Sequence, residues 1–436
     1  MRFGNVLIAA LLIPLAFLGL RECGARAGPM HHVGIALALA PGLAVFLARV
    51  SNDALATVLI AAAMLVYARE QTRGNVILGA LLTGLALLTK AYAVLLLPCY
   101  IFAWLLARNR DGGVGSAQRP STQQALLQIA LFGGIVLASA GWWYLPIILG
   151  TGTLTGEQLD VVAASAPLAE RLAALTRISW WKVYLMGTDT HIWIGGWSFL
   201  VAKPWMYWLF RSFGVAAILG LALSFWKRRQ VRDGMLGSGI SHGVARLHLP
   251  LMALFVVATA YHAVQMFLVS DRSSSLGWYV YGAVVSEAIV LFAGLLALGG
   301  QRWGRALTTS LCVCLGLFDL YTTCLIRLPF YAGLSPIDAD GRMRAFSTEQ
   351  WPVGGLWEFA SRLTVNKPDW LDVELMLLWW VLYLVATVAL TAMAVWGQFS
   401  LRNSAFPPLE AARVEAPDAD KEPETYAPEI SALTLK

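Results

Sequence analysis

Charge is what this chain has least of. Lysine, arginine, aspartate and glutamate make up 13% of its 436 residues, against about a quarter in an ordinary soluble domain. Stretches such as 3–20 and 75–89 carry none, so most of the molecule lacks a charge-wetted surface. The same scarcity suits a bilayer, where a charge at mid-membrane costs about 2.5–3.5 kcal/mol on insertion scales. Cysteine excludes further classes. Cys23, Cys99, Cys312, Cys314 and Cys324 lie mostly inside apolar runs, where a thiol behaves as a small hydrophobe. Cys312-Val-Cys314 is not a ligand spacing, and no disulfide framework is evident. There is no glycine-rich nucleotide loop and no internal repeat. The net charge of +6 sits in short clusters between apolar stretches, so no nucleic-acid partner is expected.

What is abundant is apolar surface, at 58% of residues. Eighteen Trp and thirteen Tyr add amphipathic rings of the kind that settle at headgroup level. These features predict an all-α, polytopic integral membrane protein partnered by the lipid bilayer. A spanning helix needs about 20 apolar residues. On that criterion about eleven transmembrane helices are expected, at 3–20, 32–49, 53–68, 75–89, 91–107, 126–149, 205–226, 249–270, 277–299, 306–326 and 373–396. The stretch 74–108 is long for one helix and short for two. Arg69 and Arg73 precede it and Arg108, Arg110 and Arg119 follow it, so both ends lie inside and the chain crosses twice, with Lys90 at the outer turn.

Continuing this parity gives a transmembrane domain, 1–397, with outer loops 150–203 and 328–372 and a short outer turn at 271–276. Inside lie 21–31, 69–74, 108–123, 227–247, 300–305 and a tail, 398–436, which is rich in proline and acid and expected to be cytoplasmic and disordered. The N-terminus then lies outside. A leader cleaved near Ala25-Arg26-Ala27 would invert every later loop, so a missing N-terminal segment is the expectation instead.

Four groups of residues have a chemical reading. Arg49-Val-Ser-Asn-Asp53 opens a helix on the outer side. Its carboxylate can meet water and bind a divalent cation such as Mg²⁺ or Mn²⁺, or the Ser51-Asn52-Asp53 run simply caps the helix. Leu88-Thr89-Lys90-Ala-Tyr92 sits at an outer turn, where the ammonium can hold a lipid-linked phosphate or snorkel to the headgroups. The loop 150–203 has an amphipathic stretch near 158–177, then Trp180-Trp181-Lys182 and His191-Ile-Trp193. It reads as an interfacial aromatic belt compatible with covering a substrate. Last, His262, Glu287 and Asp319 fall within spans, as functional groups or as hydrogen-bond glue between helices, of which glue is the favoured reading. No nucleophile triad or metal cluster can be assembled from these.

Several runs, in order, resemble GT-C membrane glycosyltransferases. The nearest likeness is to a large uncharacterised family of bacterial multi-spanning proteins related to the protein mannosyltransferases and the aminoarabinose transferases. Ala38-Leu-Ala-Pro41 through Asn52-Asp53-Ala-Leu is similar to the third-helix region. Gly79 through Gly84-Leu-Ala-Leu-Leu-Thr89-Lys90-Ala is similar to the Gly-Leu-Ala-Leu-Leu-Thr/Ser-Lys pattern. Trp142-Trp143-Tyr144 and Gly152-Thr-Leu-Thr-Gly156 resemble the outer-loop entry, and Leu317-Phe-Asp319-Leu-Tyr321 with Leu328-Pro-Phe-Tyr331 the late signature. The likeness covers about residues 30–335.

The resemblance implies a bacterial inner-membrane enzyme that uses a polyprenyl-phosphate sugar donor on the outer face. By it, Asp53 is the catalytic carboxylate, near a metal or the acceptor, and Lys90 approaches the donor phosphate. Asn52, Tyr92, Trp181, His191 and Arg272 are the further substrate-binding candidates. Two departures favour a truncated or inactive member. The family's first acidic outer loop lies ahead of any residue present here. The late Gly-Arg-Tyr pattern reads Gly277-Trp278-Tyr279, with Arg272 nearby as the substitute. The rival readings are an envelope-lipid transporter or flippase and an inactive scaffolding paralogue.

Overall fold

The computed structural model describes residues 2–22, 27–49, 51–69, 72–107, 122–195, 200–230, 247–335, 346, 348–365 and 367–403. All regular structure among them is helical. In chain order the α-helices are α1 (Arg2–Ala10), α2 (Leu12–Glu22), α3 (Ala27–Leu39), α4 (Pro41–Leu47), α5 (Asp53–Ala68), α6 (Arg73–Thr89), α7 (Leu96–Ala107), α8 (Thr122–Val136) and α9 (Trp142–Thr151). There follow α10 (Gln158–Ser165), α11 (Leu168–Arg177), α12 (Trp180–Ile192), α13 (Pro204–Gln230), α14 (Leu249–Ser270), α15 (Val284–Leu320), α16 (Leu328–Tyr331), α17 (Gly355–Thr364) and α18 (Val373–Asn403). The chain divides into a unit 1–398 and a unit 399–436. Of the second, the described residues are the last five of α18, and the expected disordered tail otherwise lies outside the described residues.

Among the described residues, seven helices are long and apolar enough to cross a membrane: Arg2–Glu22, Thr122–Thr151, Pro204–Trp226, Leu249–Ser270, Gly277–Gly299, Trp303–Tyr331 and Val373–Gly397. The expected spans 53–68, 75–89 and 91–107 appear as shorter apolar helices, Asp53–Ala68, Arg73–Thr89 and Ala91–Trp104. At 1.5 Å per residue, the 16 residues of α5 reach about 24 Å, short of a hydrocarbon core of about 30 Å. The expected span 32–49 is broken. Ala40 is extended and Pro41 begins a new helix, since proline has no N–H to continue α3.

The expected loops are also more structured than their polarity suggests. Segment 150–203 holds α10, α11 and α12, the first two separated at Pro167. Segment 328–372 holds α16 and α17, and Leu328-Pro-Phe-Tyr331 continues the Trp303–Tyr331 helix rather than starting a loop.

The expected turn at 300–305 is visible as a close approach. A Cβ on Gly304 would lie 2.6 Å from Leu296 Cα, eight residues earlier. A straight helix would separate those positions by about 12 Å, so α15 folds back on itself here. Its first arm packs against α13 through small residues. A Cβ on Gly294 would meet the Ala217 carbonyl oxygen at 2.3 Å, and one on Gly220 would meet the Gly294 carbonyl. Such seams let backbones touch where lipid supplies no hydrophobic drive.

Polar side chains join the helices inside this apolar packing. His32 Nε2 lies 3.1 Å from Thr309 Oγ1 and 3.2 Å from the Ala394 carbonyl, tying α3, α15 and α18. Tyr383 donates to Asp319 Oδ2 at 2.7 Å. Tyr67 and Thr83 hydroxyls are 2.5 Å apart between α5 and α6, beside the stacked rings of Tyr100 and Phe132. The glue reading of Asp319 therefore accounts for its contacts.

Junctions that charge parity puts on one side meet in space. Asp53 reaches Lys90, Ser179 reaches Ser273, and Arg49 reaches Trp278, all at one end. Arg69 meets Glu22 at the other.

Overpacking a close seam costs about 1–3 kcal/mol. Gly220→Leu and Gly294→Leu should each lower the melting temperature in detergent. Gly214→Leu, with nothing within 4 Å of its Cβ position, should leave it within a degree or so, as differential scanning fluorimetry will report.

Candidate functional site

The Asp53 end is built by a tight junction between α4 and α5. The Asn5 side-chain amide, from α1, donates to the carbonyls of Arg49 at 2.6 Å and Ser51 at 2.9 Å, fixing the turn. Asp53 is the first residue of α5, where a carboxylate complements the helix dipole. Ser51 Oγ donates to Asp53 Oδ2 at 2.8 Å, and Lys90 Nζ lies 3.1 Å from Oδ1. Lys90 is the extended residue that ends α6. Asn52 occupies the N-cap position, but its side chain makes no cap bond. Its amide donates instead to the Thr89 carbonyl at 2.5 Å, satisfying the end of α6. The start of one helix thus braces the end of the next through a charge pair and an amide bond.

Tyr92 lies beside this brace. Its ring meets Phe255 edge-on at 5.8 Å, and a Cβ on Gly282 would approach Tyr92 Cε2 to 2.7 Å. The hydroxyls of Tyr92 and Thr57 are both buried and interact with one another. Thr57 sits one helical turn below Asp53, and Tyr92 lies within range of the Asp53 charge. Two buried hydroxyls therefore underlie the Asp53–Lys90 pair, in which Asp53 is buried and Lys90 partly exposed.

The first loop helix brings more groups to the same end. Tyr279 lies within range of both the Asp53 and the Glu157 carboxylates. Its ring tilts against His262 at 4.8 Å. His262 Nδ1 is 3.3 Å from Ser275 Oγ and feels the charge of Asp160 on α10. Asp160 accepts from Gln265 at 2.7 Å and from the Thr155 hydroxyl. Arg49 places its guanidinium 5.1 Å over the ring of Trp278. The α4–α5 turn thus brings a cation against position 278. Arg272, the substitute considered from sequence, is exposed on the 271–276 turn.

Two further candidates are built into other contacts. His191 is a clasp between α12 and the turn that starts the Gly277–Gly299 span. Its Nδ1 is 3.1 Å from the Gly277 carbonyl and its Nε2 is 2.6 Å from Glu287 Oε1. Both ring nitrogens face acceptors, which suits an imidazolium donating twice. Burial pulls this imidazole down, but the Glu287 charge, its hydrogen bond and the Gly277 carbonyl together leave it above the ordinary histidine value. Tyr281 donates to the His191 carbonyl, and Gly277 N–H donates to Thr190 Oγ1 at 2.7 Å. Glycine is required at 277 because a Cβ would fall 1.8 Å from the Gly187 carbonyl oxygen. Trp181 is exposed and belongs to an aromatic patch, 5.5 Å from Tyr184 and 6.0 Å from Trp208. Arg211 crowns that patch 4.7 Å over Trp208 while its NH2 group pairs with Asp189 at 2.6 Å.

Asp53, Asn52, Lys90 and Tyr92 are therefore gathered at one place. No hydrogen bond, ion pair or ring contact described for Trp181, His191 or Arg272 reaches Asp53 or Lys90. Arg49, Glu157 and Tyr279 join the gathered residues without having been singled out. Arg49 had a signal, since it opens the same motif as Asp53, whereas Glu157 is brought by the loop fold alone. The donor set does not fit the expected divalent cation. The Lys90 ammonium holds Asp53 Oδ1, and no group of three or more His, Cys, Asp or Glu converges among the described residues. Compared with protein-family models, with curated proteins and with solved structures, the chain has no match in any of the three.

The His191 clasp makes a pH prediction. A histidine raised in the folded state contributes stability that is full below its unfolded value of about 6.5 and is lost as pH rises through the folded value. The wild-type melting temperature should fall as pH rises above about 6.5, and His191→Gln should flatten that part of the profile while lowering its acid end.

Proposed function

We propose that this chain is a GT-C-like glycosyltransferase of the bacterial inner membrane, with about eleven crossings, acting on its outer face with a polyprenyl-phosphate sugar as donor. The observation that carries the reading is the Asp53–Lys90 pair, 3.1 Å apart, with Lys90 partly open to solvent. Two motifs that resemble the family separately, one ending in Asp53 and one in Lys90, meet at one end of the fold.

The chemistry follows from exchanging partners within that pair. An incoming phosphate competes for the Lys90 ammonium and releases Asp53 Oδ1. The acceptor hydroxyl then attacks the anomeric carbon and its proton passes to the Asp53 carboxylate. The bond from that carbon to the phosphate oxygen breaks, and the polyprenyl phosphate leaves with the electron pair. Stabilising charge on the leaving phosphate is the main task of Lys90, and Asp53 acts as the base. Asn52 holds the two helix ends in register, and the Tyr92 hydroxyl lies buried beside them. Glu157, on the loop above, completes the polar surroundings. No step is routed through a metal.

A second reading has its own support. The Asp53 carboxylate is engaged by both Lys90 and Ser51, as in a purely structural brace of an envelope-lipid transporter or an inactive scaffold. Transfer assays separate the two. With purified protein and a radiolabelled polyprenyl-phosphate sugar, Asp53→Asn should lower turnover by about 10²–10⁴ and Lys90→Ala by about 10²–10³. Unchanged transfer in both variants removes this site assignment, and uptake into proteoliposomes without covalent product supports the transporter. Sidedness is checked by single cysteines at positions 232 and 272 in an otherwise cysteine-free protein. A membrane-impermeant maleimide applied to intact cells should label 272 and spare 232; the reverse pattern puts Asp53 and Lys90 on the wrong surface.

A further inference from the structure

The opposite end of the molecule carries a second feature, independent of the transferase reading. A cleft of about 520 Å³ opens there between α6 and α8, lined by Arg73, Gln124, Leu127, Gln128 and Leu131. Its walls differ in character. Arg73 and Gln124 are exposed at the mouth, and two amides and a guanidinium supply hydrogen-bond donors. Leu127 and Leu131, one turn apart on α8, form an apolar strip, and Leu127 is 62% exposed. None of the ion pairs among the described residues includes Arg73, whereas its neighbour Arg69 is held by Glu22 at 3.4 Å. The chain segments that precede α6 and α8 are basic on balance in sequence. Residues 69–73 contribute Arg69 and Arg73 against Glu70, and the connection 108–121, which leads directly into α8, contributes Arg108, Arg110 and Arg119 against Asp111.

We propose that this cleft binds an anionic phospholipid of the adjoining leaflet, with its phosphodiester at Arg73 and Gln124 and an acyl chain along Leu127 and Leu131. Charge complementarity selects the headgroup. An unpaired guanidinium at a membrane surface attracts a phosphate and makes a two-pronged hydrogen bond with it. The leucine strip selects a lipid over a soluble anion, which has nothing to lay against it. A zwitterionic headgroup carries its own cation close to the phosphate, so the gain from Arg73 is reduced. The binding cross-links α6 to α8 from below, at the far end of the helix that carries Lys90.

The test uses the full-length protein in dodecyl maltoside, titrated with phosphatidylglycerol or with phosphatidylcholine of the same acyl chains, the bound lipids being counted by native mass spectrometry. Wild type should retain phosphatidylglycerol in preference to phosphatidylcholine. Arg73→Gln should weaken its retention about fivefold, the effect of one basic residue near an anionic surface. Gln124→Glu, which changes charge at an exposed position with little change of shape, should weaken it at least as much. Arg362→Gln, on α17, should have no effect. Inorganic phosphate in excess should leave the lipid bound, and its displacement would reassign the cleft to a free anion. Equal retention of the two lipids by wild type overturns the proposal, as does undiminished phosphatidylglycerol in both cleft variants.

Discussion

The bond between His191 and Glu287 is the constraint from which the Asp53 end takes its shape. A carboxylate placed at the head of an apolar helix must find a cation or surrender its charge. Here it reaches 2.6 Å to an imidazole carried by the loop helix α12. Because His191 also meets the Gly277 carbonyl and Tyr281 donates to the His191 carbonyl, the loop cannot lift without breaking several bonds at once. The 150–203 segment is thereby pinned, and α10 is carried to where Glu157 and Asp160 face Tyr279 and His262. Arg211 anchors the outer flank of α12 through Asp189 and Thr188. The stretch read from sequence as an interfacial aromatic belt is a clamped roof.

Beneath that roof, the Asp53–Lys90 pair is a compact solution to two problems. The backbone at the start of α5 and the end of α6 has unsatisfied groups, and a membrane-edge carboxylate and ammonium need each other. Asn52, Ser51 and Asn5 answer the first, and the pair answers the second. The same arrangement is what a phosphate-dependent reaction would perturb, since a phosphate competes for Lys90 and frees Asp53 in a single exchange. Structure and proposed chemistry share the interaction, which is why the two variants are read by turnover and not by stability.

Legibility from sequence varied by kind of residue. Long apolar runs such as 205–226, 249–270 and 373–396 appear nearly as bounded, because hydrophobic length alone decides them. The short helices α5 and α6 were visible by composition, though their lengths fall below a full crossing. The span 32–49 was misjudged at Pro41, a local breaker inside an apolar run. Of the candidate residues, those next to one another in the chain were found together: Asn52 with Asp53, and Lys90 with Tyr92. Trp181, His191 and Arg272 were grouped with them only by side of the membrane, a coordinate too coarse to separate a clasp, a patch and an exposed turn. Arg49 opened the Asp53 motif, but its contact with Trp278 was not legible because the two lie more than two hundred residues apart in sequence.

By itself the sequence determined that the chain is helical and built for lipid, where its longest apolar helices begin and end to within a few residues, and which junctions share an end. Those follow from hydrophobic length and from where arginine and lysine cluster, both local properties. Only the tertiary structure decided that Asp53 pairs with Lys90, that His191 serves Glu287, and that Arg49 covers Trp278. Such pairings depend on the rotation and depth of each helix against its neighbours, set by close seams like Gly220 on Gly294. Hydrophobic period carries no record of which helix will be that neighbour.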